Sequence, residues 1–133
     1  MHIIKISTHT RNQIIDITSQ LQKYISQNNF QSGLLTVFSP HTTAGITVNE
    51  NADPDVKNDI VSFLQKTIPQ NNQFAHAEGN SDAHIKGSLV NFSQNFIIEN
   101  KQIQLGTWQG IFFMEFDGPR SREVWLKFLP DKG

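Results

Sequence analysis

Residues 108–116 read Trp-Gln-Gly-Ile-Phe-Phe-Met-Glu-Phe, and this stretch does most to decide the fold class. Its centre, 111–114, is apolar without a polar residue at every second position, which is typical of a strand that is covered on both faces. Apolar and β-branched runs between turn residues predict three more strands, at 96–99, 102–105 and 123–129. The C-terminal region is therefore predicted to be all β, and its longest apolar strand needs a layer on each side.

The rest of the chain mixes strands with helices. Asp53-Pro54 is the clearest helix start, an N-cap residue followed by proline at the first helical position. Strands without regular βαβ alternation are typical of an α+β domain, so we expect mostly antiparallel β-sheets layered against two to three helices, in one domain over residues 1–133. In chain order the remaining predicted elements are strands at 2–7 and 13–17, a helix over 18–29, strands at 34–38 and 46–48, and helices over 54–67 and 82–91.

Composition limits the kinds of partner that the protein can be expected to bind. The 133 residues carry 11 Lys and Arg against 12 Asp and Glu, and this net charge of -1 argues against a protein that binds the nucleic-acid backbone. No apolar run approaches the ~18 residues that a membrane span requires, and the N-terminus lacks the pattern of a signal peptide. Without cysteine, the chain has no thiolate metal site and no Cys nucleophile. We therefore expect a cytoplasmic protein that binds neither nucleic acid nor membrane.

A histidine and two threonines follow the apolar strand at 34–38. His41 comes directly after Pro40, at a strand end where a rigid scaffold presents a side chain to a pocket. Thr42 and Thr43 add two hydroxyls beside small residues, a combination suited to phosphate oxygens. The alternatives are a histidine bonded to a nearby carbonyl and a plain β-turn. His41 is a candidate catalytic residue, and the two threonines are candidate ligand contacts.

Acidic and amide side chains are concentrated at 49–53, Asn-Glu-Asn-Ala-Asp. Asn49 is a candidate ligand contact, and Glu50 and Asp53 are candidate catalytic residues. Asp53 has a structural role as well, because it is the predicted cap of the helix that begins at Pro54.

Three histidines lie in the interior of the chain, namely His41, His76 and His84. Imidazole suits first-row transition metals, so the three are candidate ligands of a metal site with an open coordination position. Their spacing matches neither the HExxH motif nor a zinc finger. The alternative is a proton carrier, because histidine has the only unperturbed side-chain pKa near neutrality.

Two arginines and two acids surround the tight turn at 117–119. Arg120 and Arg122 carry planar guanidinium groups, which clamp phosphate or carboxylate through two parallel hydrogen bonds. Glu115 and Arg120 are candidate catalytic residues, and Arg122 is a candidate ligand contact. A solvated hairpin turn with surface ion pairs is the alternative. Trp108 fits a core position as well as a ligand contact, and it is kept as a candidate contact.

These segments occur in a particular order along the chain. They are His41–Ala44, Asn49–Val56, His76–His84, Leu105–Ile111 and Phe116–Arg122. In order and length they resemble the YjbQ family, whose members are often named secondary thiamine-phosphate synthase enzymes, and the resemblance covers nearly the whole chain. It implies a compact α+β subunit assembled as a homotrimer. It also implies a transfer reaction, in which hydroxymethylpyrimidine diphosphate and thiazole phosphate give thiamine phosphate and pyrophosphate.

The implied reaction expels pyrophosphate, so the leaving negative charge has to be neutralised. In this interpretation Asp and Glu side chains hold Mg²⁺, while Arg120, Arg122 and the loop at 42–43 hold the phosphate groups of a small phosphorylated metabolite. The histidines suit zinc or nickel better than magnesium, so a divalent metal is expected without a fixed identity, Mg or Zn. Two alternatives stay open: a metal-dependent hydrolase or lyase built on the three histidines, and a non-catalytic trimer that binds a small metabolite.

Overall fold

The chain alternates short strands and helices. The computed structural model describes residues 1–71 and 73–132, which form eight strands and three helices. Every predicted element is present, with ends that differ by a few residues. In chain order the elements are β1 (His2–Ser7), β2 (Gln13–Asp16), α1 (Thr18–Gln27), β3 (Gly33–Phe38), β4 (Ala44–Glu50), α2 (Pro54–Thr67), α3 (Ser81–Val90), β5 (Ser93–Glu99), β6 (Gln102–Ile103), β7 (Gln109–Glu115) and β8 (Ser121–Pro130).

The strands form two antiparallel sheets. Sheet A has five strands in the order β1-β8-β3-β5-β6, and sheet B has three strands in the order β2-β7-β4. Each paired strand in the described part of the chain runs antiparallel to its neighbour. The predicted α+β class with mostly antiparallel sheet is therefore confirmed. Over the same residues, no helix combines the length and apolar character that a membrane crossing requires.

Strand β7 is the centre of sheet B and is buried from its second residue onward. Its side chains alternate between two apolar clusters, as the pleat of a strand requires. Ile111 and Phe113 pack in the main core, whereas Met114 packs with Ala83 of α3 in a second cluster that is also lined by α2. The helices thus supply the second layer that the apolar run at 111–114 needs, so its burial requires no second subunit.

Sheet A buries one face and exposes the other. Its inward side chains, such as Leu35 and Val124, pack with α1 and sheet B in the main core. On the outward face the strand register aligns Leu34 with Ile97 on one side and with Leu129 on the other, and all three side chains are exposed. This apolar row (Leu34, Ile97 and Leu129) is uncovered in the single chain.

Helix α2 begins at its predicted cap, where the Asp53 carboxylate accepts a hydrogen bond from the Asp55 amide at 2.9 Å. Asp53→Ala is expected to lower the free energy of unfolding by about 1 kcal/mol, because it removes this acceptor from the helix start. Asp53→Asn is the matched control and should cost less, since asparagine is also a good cap. Urea unfolding of the three proteins measures the difference. Equal midpoints for Asp53→Ala and the wild type would contradict a stabilising cap.

Candidate functional site

Three segments meet around an open cavity of about 470 Å³: the β3–β4 loop, the beginning of α3 with the loop before it, and the β7–β8 turn. The cavity is rich in histidine, hydroxyl and guanidinium groups. Its lining residues are Pro40, His41, Thr42, Thr43, His76, Glu78, Asn80, His84, Asp117, Arg120 and Arg122. The structure thus brings three of the five sequence segments, those that begin at His41, His76 and Phe116, into one pocket.

A buried ion pair between Glu115 and Arg122 forms one wall of this pocket. The Glu115 side chain is fully buried, and that of Arg122 is 4% exposed. Arg122 donates through Nε to Oε1 of Glu115 at 2.8 Å, and through Nη2 to Oε2 of Glu115 and to the Thr43 hydroxyl, the latter at 2.8 Å. Glu115 also accepts from the Thr8 hydroxyl at 2.8 Å and from the two backbone amides that follow it.

Glu115 is ionised in this setting. Burial on its own raises the pKa of a carboxyl group, but hydrogen bonds from Arg122, from the Asp117 amide and from Thr8 outweigh burial and hold the pKa of Glu115 below its ordinary value. Both carboxylate oxygens are occupied by these donors. The geometry therefore gives Glu115 the role of fixing Arg122 in place, which differs from the role of a free general base.

Asp117 anchors the second arginine. Its Oδ2 accepts from Nη2 of Arg120 at 3.1 Å and from Nδ2 of Asn80 at 2.9 Å, and its Oδ1 accepts from Nη1 of Arg11 at 3.0 Å. Arg120 also donates through Nε to the backbone carbonyl of Asp117 at 2.8 Å. Arg120 is half-exposed and lines the cavity. Its guanidinium group is thus held at the pocket wall before any ligand arrives.

His41 is held as a neutral imidazole. Its Nε2 accepts a hydrogen bond from the backbone N–H of Glu123 at 2.8 Å, so this nitrogen carries no proton. Burial and the nearby Arg122 cation lower the pKa of His41 below its ordinary value, and they outweigh the opposite effect of the Glu123 hydrogen bond. The proton of the neutral ring is therefore on Nδ1. His41 can offer an N–H donor to a ligand through that atom.

The lowered pKa of His41 predicts a pH dependence of stability. When the pH falls below the ordinary value of 6.5, the unfolded chain binds a proton on His41 that the folded chain does not bind. The contribution of His41 to stability is thus present above pH ~6.5 and is lost as the pH falls towards the folded pKa. Urea unfolding between pH ~5 and ~7.5 should show midpoints that fall with acidification, less steeply in His41→Gln. Equal slopes in both proteins would contradict the assignment.

His76 and His84 line the same cavity. Their rings lie edge to face with centroids 5.5 Å apart, and Nε2 of His76 is 3.7 Å from a carboxylate oxygen of Glu78. Nε2 of His41 is already bonded to a backbone amide, so the three rings do not offer three free Nε2 atoms. Across residues 1–71 and 73–132, no three His, Asp or Glu side chains are grouped so as to hold a metal ion. Metal binding by the histidines stays a prediction.

The structure places the other four candidates away from this pocket in the single chain. Ala44 at the near end of β4 pairs with Glu115, whereas Asn49 and Glu50 pair with Gly110 and Gln109 at the far end. Trp108 and Asp53 belong to that far end as well, since the Trp108 carbonyl accepts from the Asn51 amide at 2.7 Å and Asp53 caps α2. At ~3.3 Å per residue, the length of β4 separates the two groups by about 20 Å.

Sequence reasoning missed three residues of the pocket network, namely Thr8, Arg11 and Asn80. Arg11 reads as an ordinary turn residue, yet it binds Asp117, 106 positions away. The pairing of β1 with β8 explains the contact, because it aligns Ser7 with Ser121 and brings the β1–β2 turn beside the β7–β8 turn. The contact between Arg11 and Asp117 could have been predicted only from the pairing of β1 with β8, because local composition gives no sign of it.

Sequence comparisons relate the chain to known proteins. A family model described as UPF0047 protein YjbQ-like matches residues 2–131. A UPF0047 protein of Methanocaldococcus jannaschii is 55% identical over 128 residues, which cover 96% of this chain and 93% of that relative. The UPF0047 protein YugU of Bacillus subtilis is 46% identical over 127 residues, which cover 95% of this chain and 96% of the relative.

Solved structures agree with these sequence matches. The crystal structure of an uncharacterized YjbQ/UPF0047 protein from Clostridium acetobutylicum is 50% identical and covers 97% of this chain and 100% of that one, with a TM-score of 0.94. A hypothetical protein from Aeropyrum pernix is 34% identical and covers 98% of both chains, with a TM-score of 0.92. Family model, relatives and structures all match over nearly the full length, so the chain belongs to the UPF0047 (YjbQ-like) family.

Proposed function

We propose that the pocket beside His41 binds the phosphate groups of a small phosphorylated metabolite. The observation that carries the proposal is the state of the two arginines. Each guanidinium group is fixed by a carboxylate, through Nε and Nη2 in Arg122 and through Nη2 in Arg120. Within the described part of the chain, Nη1 of neither arginine has a protein partner. Donors that are held in place and unoccupied are suited to oxyanions.

The charge around the pocket supports an anionic ligand. Arg120 and Arg122 line the cavity and pair with Asp117 and Glu115, and Asp117 also binds a third cation, Arg11, which lies outside the cavity. Glu78 at the rim is largely exposed, so water screens its charge. The hydroxyl of Thr42 and the Nδ1–H of His41 add neutral donors to the same cavity. A phosphate group supplies the oxygens that these donors lack.

The reaction that we propose is a transfer of the thiamine-phosphate-synthase type. The bond between the pyrimidine methylene carbon and the diphosphate oxygen breaks, and pyrophosphate leaves with the electron pair. The thiazole nitrogen then forms the new C–N bond with its lone pair, so no proton has to be removed. Arg120, Arg122 and the Nδ1–H of His41 would stabilise the departing pyrophosphate. This chemistry requires little acid–base catalysis, in keeping with a neutral His41 and a fully bonded Glu115.

Product analysis tests this proposal. Purified protein is incubated with hydroxymethylpyrimidine diphosphate, thiazole phosphate and Mg²⁺, and thiamine phosphate is measured by mass spectrometry. We expect product from the wild type, at least roughly tenfold less from Arg120→Gln, and an unchanged amount from Lys23→Gln, which removes one exposed cation of α1. No product above background from the wild type would contradict the transferase. Saturable binding of pyrophosphate without product would instead favour the non-catalytic binding protein.

A divalent metal, Mg or Zn, remains part of the proposal. Among the three histidines that line the cavity, His76 and His84 keep both ring nitrogens free of hydrogen bonds within the described residues, and Glu78 lies beside them. Of the three predicted histidine ligands we therefore propose His76 and His84 for the metal, because Nε2 of His41 is already bonded to the Glu123 amide. Elemental analysis of untagged protein should find about one equivalent per chain that is lost in His84→Ala and kept in His2→Ala. Metal content unaffected by His84→Ala would contradict the assignment, and we route no step of the reaction through the metal.

We also propose that three chains assemble. The apolar row on the outward face of sheet A supports assembly, because uncovered apolar patches of this kind often mark protein interfaces. Sedimentation equilibrium at micromolar concentration should give three times the 15.1 kDa mass of one chain. A mass near 15.1 kDa would contradict the trimer.

A further inference from the structure

A second cavity, of about 380 Å³, opens between the β1–β2 turn, the end of α2 and the first turns of α3. Its lining side chains carry hydroxyl, amide, carboxylate and cationic groups, with two cations against one carboxylate. The lining residues are Thr10, Arg11, Asn12, Gln65, Pro69, Gln70, Asp82 and Lys86. None of these residues lines the pocket beside His41, so the second cavity is a separate place on the molecule.

The most unusual feature of this cavity is a buried lysine. The Lys86 side chain is 2% exposed. Lysine is almost never fully buried unless its ammonium group is paired. Its Nζ donates to Oδ2 of Asp82 at 2.9 Å and contacts Oδ1 of Asn12 at a long 3.4 Å. An ammonium group has three N–H donors. One strong and one weak hydrogen bond leave one N–H of Lys86 without an oxygen acceptor among the described residues, and the centroid of the Phe116 ring lies 6.0 Å from Nζ.

Arg11 adds a second cation with an unfilled donor. Its Nη2 donates to Oδ1 of Asp82 at 2.8 Å and its Nη1 to Oδ1 of Asp117 at 3.0 Å. Its Nε is buried and, within residues 1–71 and 73–132, has no hydrogen-bond partner. A buried N–H without an acceptor costs about 1–3 kcal/mol. The Asp82 carboxylate thus lies between two cations, Arg11 and Lys86, and does not accept from all of their N–H groups.

We propose that this second cavity binds a phosphate group. Arg11 and Lys86 supply the positive charge, and the side-chain amides of Asn12 and Gln65 supply further donors around it. A tetrahedral oxyanion has enough oxygens to accept from several directions at once, which a single water molecule does not. The inference goes beyond the function proposed for the pocket beside His41, and none of the residues that line the second cavity lines that pocket. Arg11 nevertheless links the two places, because it binds both Asp82 and Asp117.

The experiment locates an anion directly. Crystals of the wild type are soaked in tungstate, a heavy tetrahedral oxyanion, and its positions are found by anomalous scattering. Binding of inorganic phosphate is measured in parallel by calorimetry for wild type and Gln65→Glu. Gln65 is exposed at the cavity rim, so this change adds a negative charge without disturbing the buried ion pairs. Asn58→Asp adds the same charge to an exposed position on the same helix outside both cavities and is the matched control.

We expect tungstate beside Arg11 and Lys86, and phosphate binding there roughly tenfold weaker in Gln65→Glu but unchanged in Asn58→Asp. Tungstate beside Arg120 and Arg122 only would overturn this inference and leave the proposed function standing. Tungstate beside Lys86 only would support the inference and count against the proposed function. Tungstate at neither place would contradict both.

Discussion

Arg122→Met is expected to lower the free energy of unfolding by about 3–5 kcal/mol, the largest stability effect that we predict for one substitution. The reason is that the substitution leaves the Glu115 carboxylate without its cation. That carboxylate is fully buried and receives two of its hydrogen bonds from Arg122. Methionine fills a similar volume without a charge, so Glu115 either stays ionised without its cation or binds a proton. Urea unfolding at pH ~7 measures the loss.

The double variant Arg122→Met with Glu115→Gln is the control for this prediction. Removing both charges removes the unpaired buried carboxylate, so the double variant should regain a large part of the lost stability. If the double variant loses as much free energy of unfolding as the two single variants lose together, the ion pair is not the source of the effect.

The same ion pair predicts how acid affects the protein. The folded pKa of Glu115 lies below its ordinary value of 4.5, so its contribution is present above pH ~4.5 and is lost as the pH falls through the folded pKa. In Arg122→Met the main source of that lowering is gone. Its stability should therefore respond to acid less steeply than that of the wild type below pH ~4.5, or even rise, and unfolding at several pH values checks this.

His41→Gln is expected to lower turnover by about 100-fold with a much smaller change in stability. Glutamine can place its carbonyl oxygen near the position of Nε2 and so keep the acceptor for the Glu123 amide. It has no group in the place of the Nδ1–H, which we assign to the departing pyrophosphate. Loss of one such donor typically costs a factor of 10² to 10³ in rate.

His41→Asn is the matched variant, because its side-chain amide can place an N–H near the position of Nδ1 while it loses the bond to Glu123. We expect His41→Asn to retain more activity than His41→Gln and to be less stable. Thiamine phosphate formation and urea unfolding are measured on both variants. The opposite order, with the glutamine variant more active, would contradict the role given to Nδ1–H.

The sequence predicted the fold class and the element order because local patterns determine them. The unbroken apolar run at 111–114 required two covering layers, and the structure provides them as the main core and the helices α2 and α3. Asp53-Pro54 predicted the first turn of α2 because capping depends on neighbouring residues alone. The trimer was inferred from resemblance, and the apolar run gives it no support, because α2 and α3 cover that run within one chain.

Only part of the candidate site could be predicted from the sequence, because a pocket is formed by segments that are distant along the chain. His41, Arg120 and Arg122 meet because β8 lies between β1 and β3 in sheet A, an arrangement that no local motif reveals. Asn49 and Glu50 read equally well as site residues, but the direction of β4 places them at its other end. Arg11 could not be recognised, since its partners Asp82 and Asp117 lie 71 and 106 positions away.

The central claim is that the pocket beside His41 binds phosphate groups, and titration of ¹⁵N-labelled protein with pyrophosphate tests it most directly. The account predicts saturable shifts of the backbone amide signals of Thr43, Arg120 and Glu123. It predicts much weaker binding to Arg120→Gln and unchanged binding to Lys23→Gln. Amide signals of these three residues that stay in place at millimolar pyrophosphate, in a wild type shown to be folded, would contradict it.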